Sequence, residues 1–530
     1  MDDFSNSRVQ RRLLRVRIVG KKAYIKKIIE ESKITIAFFL GIYLSFAVYM
    51  KDIMTSDYIS GYLKDINTRK ILLEYIVSGR LSNVILTLVY KIFAIAGVTH
   101  FKNIFAIQLT GMLFYAMALS IIWNIFRSII NSDTLANKVT LYVAVLVSVV
   151  NPFVVEHFIY GSFDFALGFW GAVFSVYLFM NEQWIRSFII AFLSVSIYQS
   201  NVYYILITLA FFYYFKCIKE DKKFKYLFYR ESISLLFCLG VILINIAIQK
   251  IAIFFTRDSN IRVHKNVDFN DVNVDRLESL FGLAKWHIGH TFDMLPRNFV
   301  LYACFISIIF VILYSARYAK IWQGMMYVFL LFACFSSLFS YGFFYGEYFA
   351  QRMLVGIFLI LSYALIGIII CTNEIGIEEM VPVGRFIILV IFLVIYSETQ
   401  LCSTDAFIAQ AIDKYEAKAI YREINNYEQM TGIEIKEIAT CGGAGYEDNT
   451  VYRTDELLKD YNATIPYHRI VYDYWSQGRY INYVNNTAYD SRRMTEEEID
   501  RYFGEYVSPG FFDPDSQLVF DGDTLYWRIY

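Results

Sequence analysis

The chain has 530 residues, 57% of them hydrophobic and 18% aromatic, with a mean hydropathy of +0.42. That is more apolar than a soluble globular chain and places the protein in a bilayer. The formal net charge of +0 conceals a cluster of cations, from Arg8, Arg11 and Arg12 to Lys26 and Lys27, ahead of the first apolar run; in that position it fixes the N-terminus in the cytoplasm, and no nucleic-acid partner is expected.

Residues 1–33 form this basic segment, and the run 34–50 is long enough to span and lacks a small-x-small cleavage pattern after it, so it stays as an anchor. Further predominantly apolar runs lie near 104–126, 139–156, 163–180, 187–199, 201–215, 231–255, 298–315, 322–340, 352–371 and 386–400. Together they predict a mainly α, polytopic bundle of about 11 spans over 34–401. Five cysteines, Cys217, Cys238, Cys304, Cys334 and Cys371, fall in or beside these runs without C-x-x-C spacing and read as small core residues.

Between the first two runs lies a polar loop, 51–103, with Asp52, Asp57, Tyr58, Asp65, Arg69, Glu74 and Ser78-Gly79-Arg80. Its segment 81–98 is apolar but carries Lys91. With the N-terminus inside and 81–98 not crossing, the basic loops 216–230 and 317–320 both fall in the cytoplasm; a crossing would export them against the positive-inside rule. The segment therefore reads as an amphipathic interfacial helix, Lys91 snorkelling. The outward parts are then 51–103, the turns at Glu156-His157 and Gln199, the loop 256–297, the turn 341–351 and everything after 401.

The stretch 187–215 is interrupted by Tyr198-Gln199-Ser200-Asn201, which reads either as two half-length helices meeting at a polar elbow or as one long kinked helix. The loop 256–297 holds Lys285, Trp286, His287 and His290. A cation beside a ring suits a sugar or phosphate; the histidines, at i,i+3, have no third ligand beyond Asp293, so no metal or other cofactor is assigned and a divalent ion stays unsupported. Arg352 flanks an outer turn among Tyr341, Tyr345 and Tyr348, which an interfacial aromatic belt explains without a ligand.

Residues 402–530 turn polar and predict an extracytoplasmic α+β domain. An amphipathic helix runs from Thr404 to Met430 and stops at Gly432, Ile433 to Ile438 alternates as a strand, and the C-terminal end is a hairpin turning at Asp521-Gly522. Cys402 and Cys441 could pair there or stay free thiols. Cys441 to Gly445 lacks the spacing of a nucleotide loop and reads as a plain loop.

Transfer of a sugar from a lipid phosphate needs a carboxylate to take the acceptor's proton and cations for the departing phosphate. Asp57, beside an aromatic able to stack on a sugar, is the first choice of base, with Asp52 and Asp65 behind it; a solvated loop carboxylate is the alternative for each. Arg80 is placed for a lipid phosphate, or as an ordinary interfacial arginine. Asp164, inside an apolar run, is read as lining a cavity, and Glu156-His157 as part of the same face or a helix-end dyad.

The motifs Ser56-Asp57-Tyr58, Ser78-Gly79-Arg80 and Ile197-Tyr198-Gln199-Ser200, set in about the first 400 residues, resemble the serotype-conversion (Gtr-type, O-antigen) membrane glucosyltransferases of the polyprenyl-phosphate-sugar-dependent GT-C class. The resemblance implies a GT-C-like catalytic bundle in the plasma (inner) membrane. It implies a hexose, glucose or a similar sugar, carried on polyprenyl phosphate, and an acceptor that is a surface polysaccharide or its lipid-linked precursor. Transfer would invert the anomeric carbon; on the reading of the residues above, Asp57, with Asp52 and Asp65 behind it, is the base, and Arg80, Tyr58, Tyr198 and Gln199 are substrate-binding. The rival readings are a transporter or flippase of lipid-linked saccharides, a polysaccharide polymerase, and a structural membrane protein.

Overall fold

A computed structural model describes residues 31–47, 49, 53, 68–96, 103–130, 134–160, 163–256, 274–291, 294–340, 351–375, 377–442, 477–507 and 511–529. Asp52, Asp57, Tyr58, Asp65, Asp293, the aromatic turn at 341–350 and the glycine-rich residues 443–445 lie outside them. The protein is mainly helical. Among the described residues, eight helices are long and apolar enough to cross a membrane.

The bundle opens with α1 (31–47), α2 (Thr68–Val77) and α3 (Leu81–Ile95). At 15 residues α3 is shorter than the eight long helices, and it buries Ser82 and Asn83 while exposing Ile85, Leu88, Ile92 and Ile95. Next is α4 (Ile104–Arg127), whose first turn is capped by the Asn103 side chain accepting from the Ala106 N–H. The run at 139–156 is not one helix but two, α5 (Leu135–Leu146) and α6 (Pro152–Ile159). Asn151 caps α6 by accepting from the Val154 N–H, and Pro152 at the first turn has no N–H to continue α5.

Helix α7 (Phe163–Met180) matches the expected run, and α8 (Trp184–Val195) and α9 (Asn201–Lys219) meet at the polar elbow as two separate helices. Then follow α10 (Phe224–Thr256), α11 (Val274–His290), α12 (Phe299–Arg317), α13 (Ile321–Phe339), a single 3-10 turn (Gln351–Met353) and α14 (Gly356–Glu374). The most hydrophobic window of α14 is 94% buried and that of α10 only 22%, so α14 is the axis and α10 lies at the periphery. Tyr363 of α14 packs on Phe126 of α4 and Phe211 of α9 and bonds the Thr208 hydroxyl at 2.8 Å.

Polar ends close this apolar core. At one end Lys219 pairs with Glu374 and Lys320 with Asp221, so the two basic loops share one end of the bundle. At the other end, about 28 Å away along the 19 residues of α9, lie the elbow, Glu156 and Arg352.

The last helix, α15 (Met380–Thr431), runs 52 residues without a break, about 78 Å, straight through the expected domain boundary at 402. It stops where Gly432 takes φ +72° and donates its N–H to Glu428 O. Beyond it are β1 (Glu437–Cys441), α16 (Gln477–Asn485), β2 (Asp490–Arg493), α17 (Glu496–Phe503), β3 (Leu518–Asp521) and β4 (Thr524–Arg528), with strands ordered β2-β1-β4-β3. β1 is parallel to both neighbours, and β3–β4 is the expected hairpin. The first strand begins at Glu437 rather than Ile433, because Glu437 is the first residue in ladder register with both neighbouring strands, opposite Asp490 and Thr524. Alternate residues face opposite sides: Ile438, Leu525 and Trp527 join α15 and α16, whereas Ala439, Cys441 and Tyr526 meet Phe503 of α17. Ile104 and Ile107 of α4 belong to the first of these clusters, so the small domain is seated on the bundle. Cys402 and Cys441 are both free and buried, in different clusters.

Arg492 of β2 joins this domain's elements, donating two bonds of 2.7 Å to Glu498 of α17 and one of 2.9 Å to Glu437 of β1. These bonds from Arg492, reinforced by the Thr495 N–H against a push from burial, hold the Glu498 carboxyl down from 4.5 to about 2. A depressed carboxyl stabilises the fold above its ordinary value and loses that contribution as pH falls towards the folded one. Between pH 4.5 and about 2, β1 amides are therefore expected to lose hydrogen-exchange protection in wild type, while Glu498→Gln, less protected at pH 7, shows no matching fall. Identical profiles for the two proteins would contradict this.

Candidate functional site

Between α2 and α3 the backbone makes a tight turn, Val77 to Arg80. Gly79 sits there at φ +74°, a left-handed conformation that glycine enters without penalty. Any Cβ would also meet Asn245 Oδ1 at 2.9 Å and Gln199 Nε2 at 3.1 Å.

Those two side chains belong to a clamp. Three successive carbonyls each accept one amide N–H: Val77 from Gln249 at 2.8 Å, Ser78 from Gln199 at 2.6 Å, and Gly79 from Asn245 at 3.0 Å. Asn245 and Gln249 are four residues apart on α10 and so share a face; both are buried on a helix that is otherwise mostly apolar. An unpaired carbonyl or amide away from water is costly, and each satisfies the other. The Asn245 nitrogen also reaches Ser196 Oγ at 3.1 Å, and the Ser82 N–H donates to Ser196 O at 3.3 Å, tying the turn to the α8–α9 elbow.

The clamp delivers Arg80. Its guanidinium lies 5.3 Å from the centre of the Tyr198 ring, a cation–π contact. No carboxylate among the described residues pairs with it, and its Nε is buried without an acceptor. The Tyr198 hydroxyl also lies in the electrostatic field of Arg352. Two guanidinium groups thus flank one phenol.

Arg352 is itself fixed. Glu156 Oε2 accepts its backbone N–H at 2.6 Å and Oε1 pairs with its guanidinium, which stacks 4.5 Å from the Tyr160 ring centre. The Arg352 carbonyl accepts from His157 Nε2 at 3.1 Å, and His157 Nδ1 meets the Tyr115 hydroxyl at 2.5 Å. A carbonyl only accepts, so Nε2 carries the hydrogen and Nδ1 takes the one from Tyr115; a single neutral tautomer satisfies both bonds. Phe165 stacks on His157 at 4.4 Å and meets Tyr198 edge-on at 5.1 Å, closing the ring of contacts.

The structure therefore brings together Arg80, Tyr198, Gln199, Glu156, His157 and Arg352, which lie up to 272 positions apart in sequence. Asp164 stands beside Phe165, its Oδ1 accepting from Tyr90 of α3 at 3.2 Å. Lys285, Trp286, His287 and His290 lie on α11, whose described packing is against α12 and α13: His287 stacks on Phe339, and His290 on Trp286. Among the described residues no cluster of ligands suits a metal. Sequence reasoning missed Asn245, Gln249, Ser196 and Tyr115; the signal available was a pair of amides at i,i+4 inside an apolar run.

Chemically the arrangement can receive an anion. Glu156 spends both oxygens on Arg352, which suits it to hold that cation. Arg80 keeps unused donors beside the N-terminal dipole of α3, which adds positive potential.

No protein family, curated protein or solved structure matches this chain.

Each clamp bond is testable alone. Gln249→Leu or Asn245→Leu leaves one buried carbonyl unpaired, an expected loss of about 1–3 kcal/mol, read as a lower thermal unfolding midpoint in nanodiscs. Gly79→Ala, which adds strain and displaces two donors, is expected to lower it further. Unchanged midpoints would mean the turn does not depend on the amides.

Proposed function

We propose that the protein is a membrane glycosyltransferase that moves a hexose from a polyprenyl-phosphate donor to a surface polysaccharide or its lipid-linked precursor. The observation that carries this reading is Arg80: a guanidinium held in place by the clamp, stacked on an aromatic ring, with a buried Nε that has no acceptor. That is what a leaving lipid phosphate requires.

In this reading the acceptor hydroxyl attacks the anomeric carbon as the bond from that carbon to the phosphate oxygen breaks. The electron pair leaves with the phosphate, whose charge Arg80 balances, and the hydroxyl proton passes to a carboxylate. Asp57 is assigned that role, with Asp52 and Asp65 as its alternates, and attack opposite the leaving group inverts the anomeric centre. Tyr58 and Tyr198 offer rings for the sugar. The site end faces outward from the plasma membrane and the basic end the cytoplasm, in keeping with the positive-inside rule. The bundle is GT-C-like, with α1, α5–α6 and α8 counted as crossings additional to the eight long helices.

One observation favours a second reading. Short helices ending at polar breaks, α5 and α6 at Asn151 and α8 at 196–200, also occur in transporters, which suits a flippase of lipid-linked saccharides.

Purified protein given radiolabelled polyprenyl-phosphate glucose and a polysaccharide acceptor separates the two. Transfer of label is expected, reduced about 100- to 1000-fold by Arg80→Ala and abolished by Asp57→Asn. Movement of the donor between leaflets without transfer would favour the flippase, and full activity of Arg80→Ala would overturn the site.

A further inference from the structure

A cavity of about 570 Å³ opens between α1, α4 and α7, within the range of about 300–1,000 Å³ that small-molecule sites occupy. It lies at the basic end of the bundle. Phe165, near the start of α7, stacks on His157 at the Arg80 end, whereas the cavity is lined by Phe174, Tyr177 and Met180 from the other end of that helix; Met180 is about 22 Å along α7 from Phe165. On α4 the lining extends from Ser120 to Ser128, about two turns into the bundle.

The hydrogen-bonding capacity of this lining is only partly used. Thr35 gives its one hydroxyl hydrogen to Glu31 O at 3.0 Å, so Ser120 is the donor in their 2.7 Å contact, and its oxygen keeps only acceptor capacity. Ser128 likewise donates to Ile125 O at 2.6 Å and can still accept. Asn181 commits one of its two amide hydrogens, to Tyr177 O at 2.7 Å. The side chain of Asn124 and the hydroxyl of Tyr177 make no hydrogen bond among the described residues. Donors and acceptors therefore alternate around one cavity that no lysine or arginine lines. At this depth such groups are costly unless a polar ligand or water meets them.

We propose that this cavity is a second binding site, for a neutral saccharide: a pyranose, free or carried as a lipid headgroup. Every sugar hydroxyl both donates and accepts, which matches a lining that offers both. The apolar C–H face of a pyranose suits the wall made by Phe174 and Tyr177, whose rings lie within 13° of parallel. A phosphate would find no cation among the lining residues, so the site differs in chemistry from that of Arg80 and does not depend on the reading given to it. An ammonium group, which only donates, would leave the Asn124 and Tyr177 hydrogens without acceptors.

A thiol placed in the lining tests this. The seven cysteines are free and buried, so Ser128→Cys, at an exposed position that lines the cavity, adds one accessible thiol. Its rate of modification by a water-soluble maleimide is followed in the full-length protein in phosphatidylcholine nanodiscs. The additions are methyl glucoside, glucosyl diacylglycerol in the bilayer, inorganic phosphate and tetramethylammonium. Saturable protection by methyl glucoside assigns the site to the sugar itself, and protection by the glycolipid alone assigns it to a lipid-borne sugar; either supports the proposal. In the Ser128→Cys background, Asn124→Leu is expected to weaken that protection about tenfold, the worth of one to two hydrogen bonds. Tyr177→Ala, which removes an exposed ring, is expected to weaken it about fivefold and serves if the first variant does not assemble. Protection by neither sugar would overturn the proposal. So would phosphate or tetramethylammonium protecting as well as the sugars, or folded variants that keep full protection.

Discussion

Three amide side chains on three consecutive carbonyls hold the turn from which Arg80 projects, and most of what is distinctive at this end of the bundle follows from that contact. Each bond adds only about 0.5–1.5 kcal/mol net, but an orphaned buried carbonyl costs more than a made bond returns. The set therefore acts as a unit. It demands glycine at position 79, explains two amides on one face of an apolar helix, and links α10, at the periphery, to α2, α3 and the α8–α9 elbow.

Around this point the polar groups are arranged by function. Glu156 neutralises and immobilises Arg352, His157 bridges Arg352 to Tyr115, and Arg80 is left as the cation with unused donors. Buried ion pairs are poor sources of stability once desolvation is counted, so the Glu156–Arg352 pair is better understood as fixing a guanidinium beside Tyr198. The basic loops sit at the far end of the bundle. The small C-terminal domain is held at the site end by the unbroken helix α15, which packs along α6, the helix of Glu156 and His157.

Much of the fold was legible because its signals are local. Apolar runs gave the long helices, the polar residues 198–201 gave the elbow, Gly432 the end of α15, and Asp521-Gly522 the hairpin. The break at Asn151-Pro152 was also local, a cap followed by a proline, but was masked by the apolar residues on both sides. No chain break marks the boundary expected at 402, because composition changes there while helical periodicity does not: α15 goes from apolar to amphipathic without a turn. The site was legible residue by residue and not as an assembly. Arg80, Glu156, His157, Tyr198 and Arg352 each stood out as polar groups at a membrane end, but the pairing of Glu156 with a residue 196 positions away depends on tertiary packing. Asn245 and Gln249 were overlooked because a span is read by its average hydropathy, which two amides in α10 hardly move. The carboxylates at 52, 57 and 65 lie outside the described residues, so the base is carried by sequence alone.

On the proposed reading the amide clamp serves Arg80, and through it an anionic lipid phosphate. The most direct measurement is a double-mutant cycle on the affinity for geranyl phosphate, using wild type, Arg80→Ala, Asn245→Leu and the double variant in nanodiscs. If the clamp acts through Arg80, each single change weakens binding and the double variant binds no more weakly than Arg80→Ala alone. Losses that simply add, or an Asn245→Leu protein that binds like wild type, would contradict it.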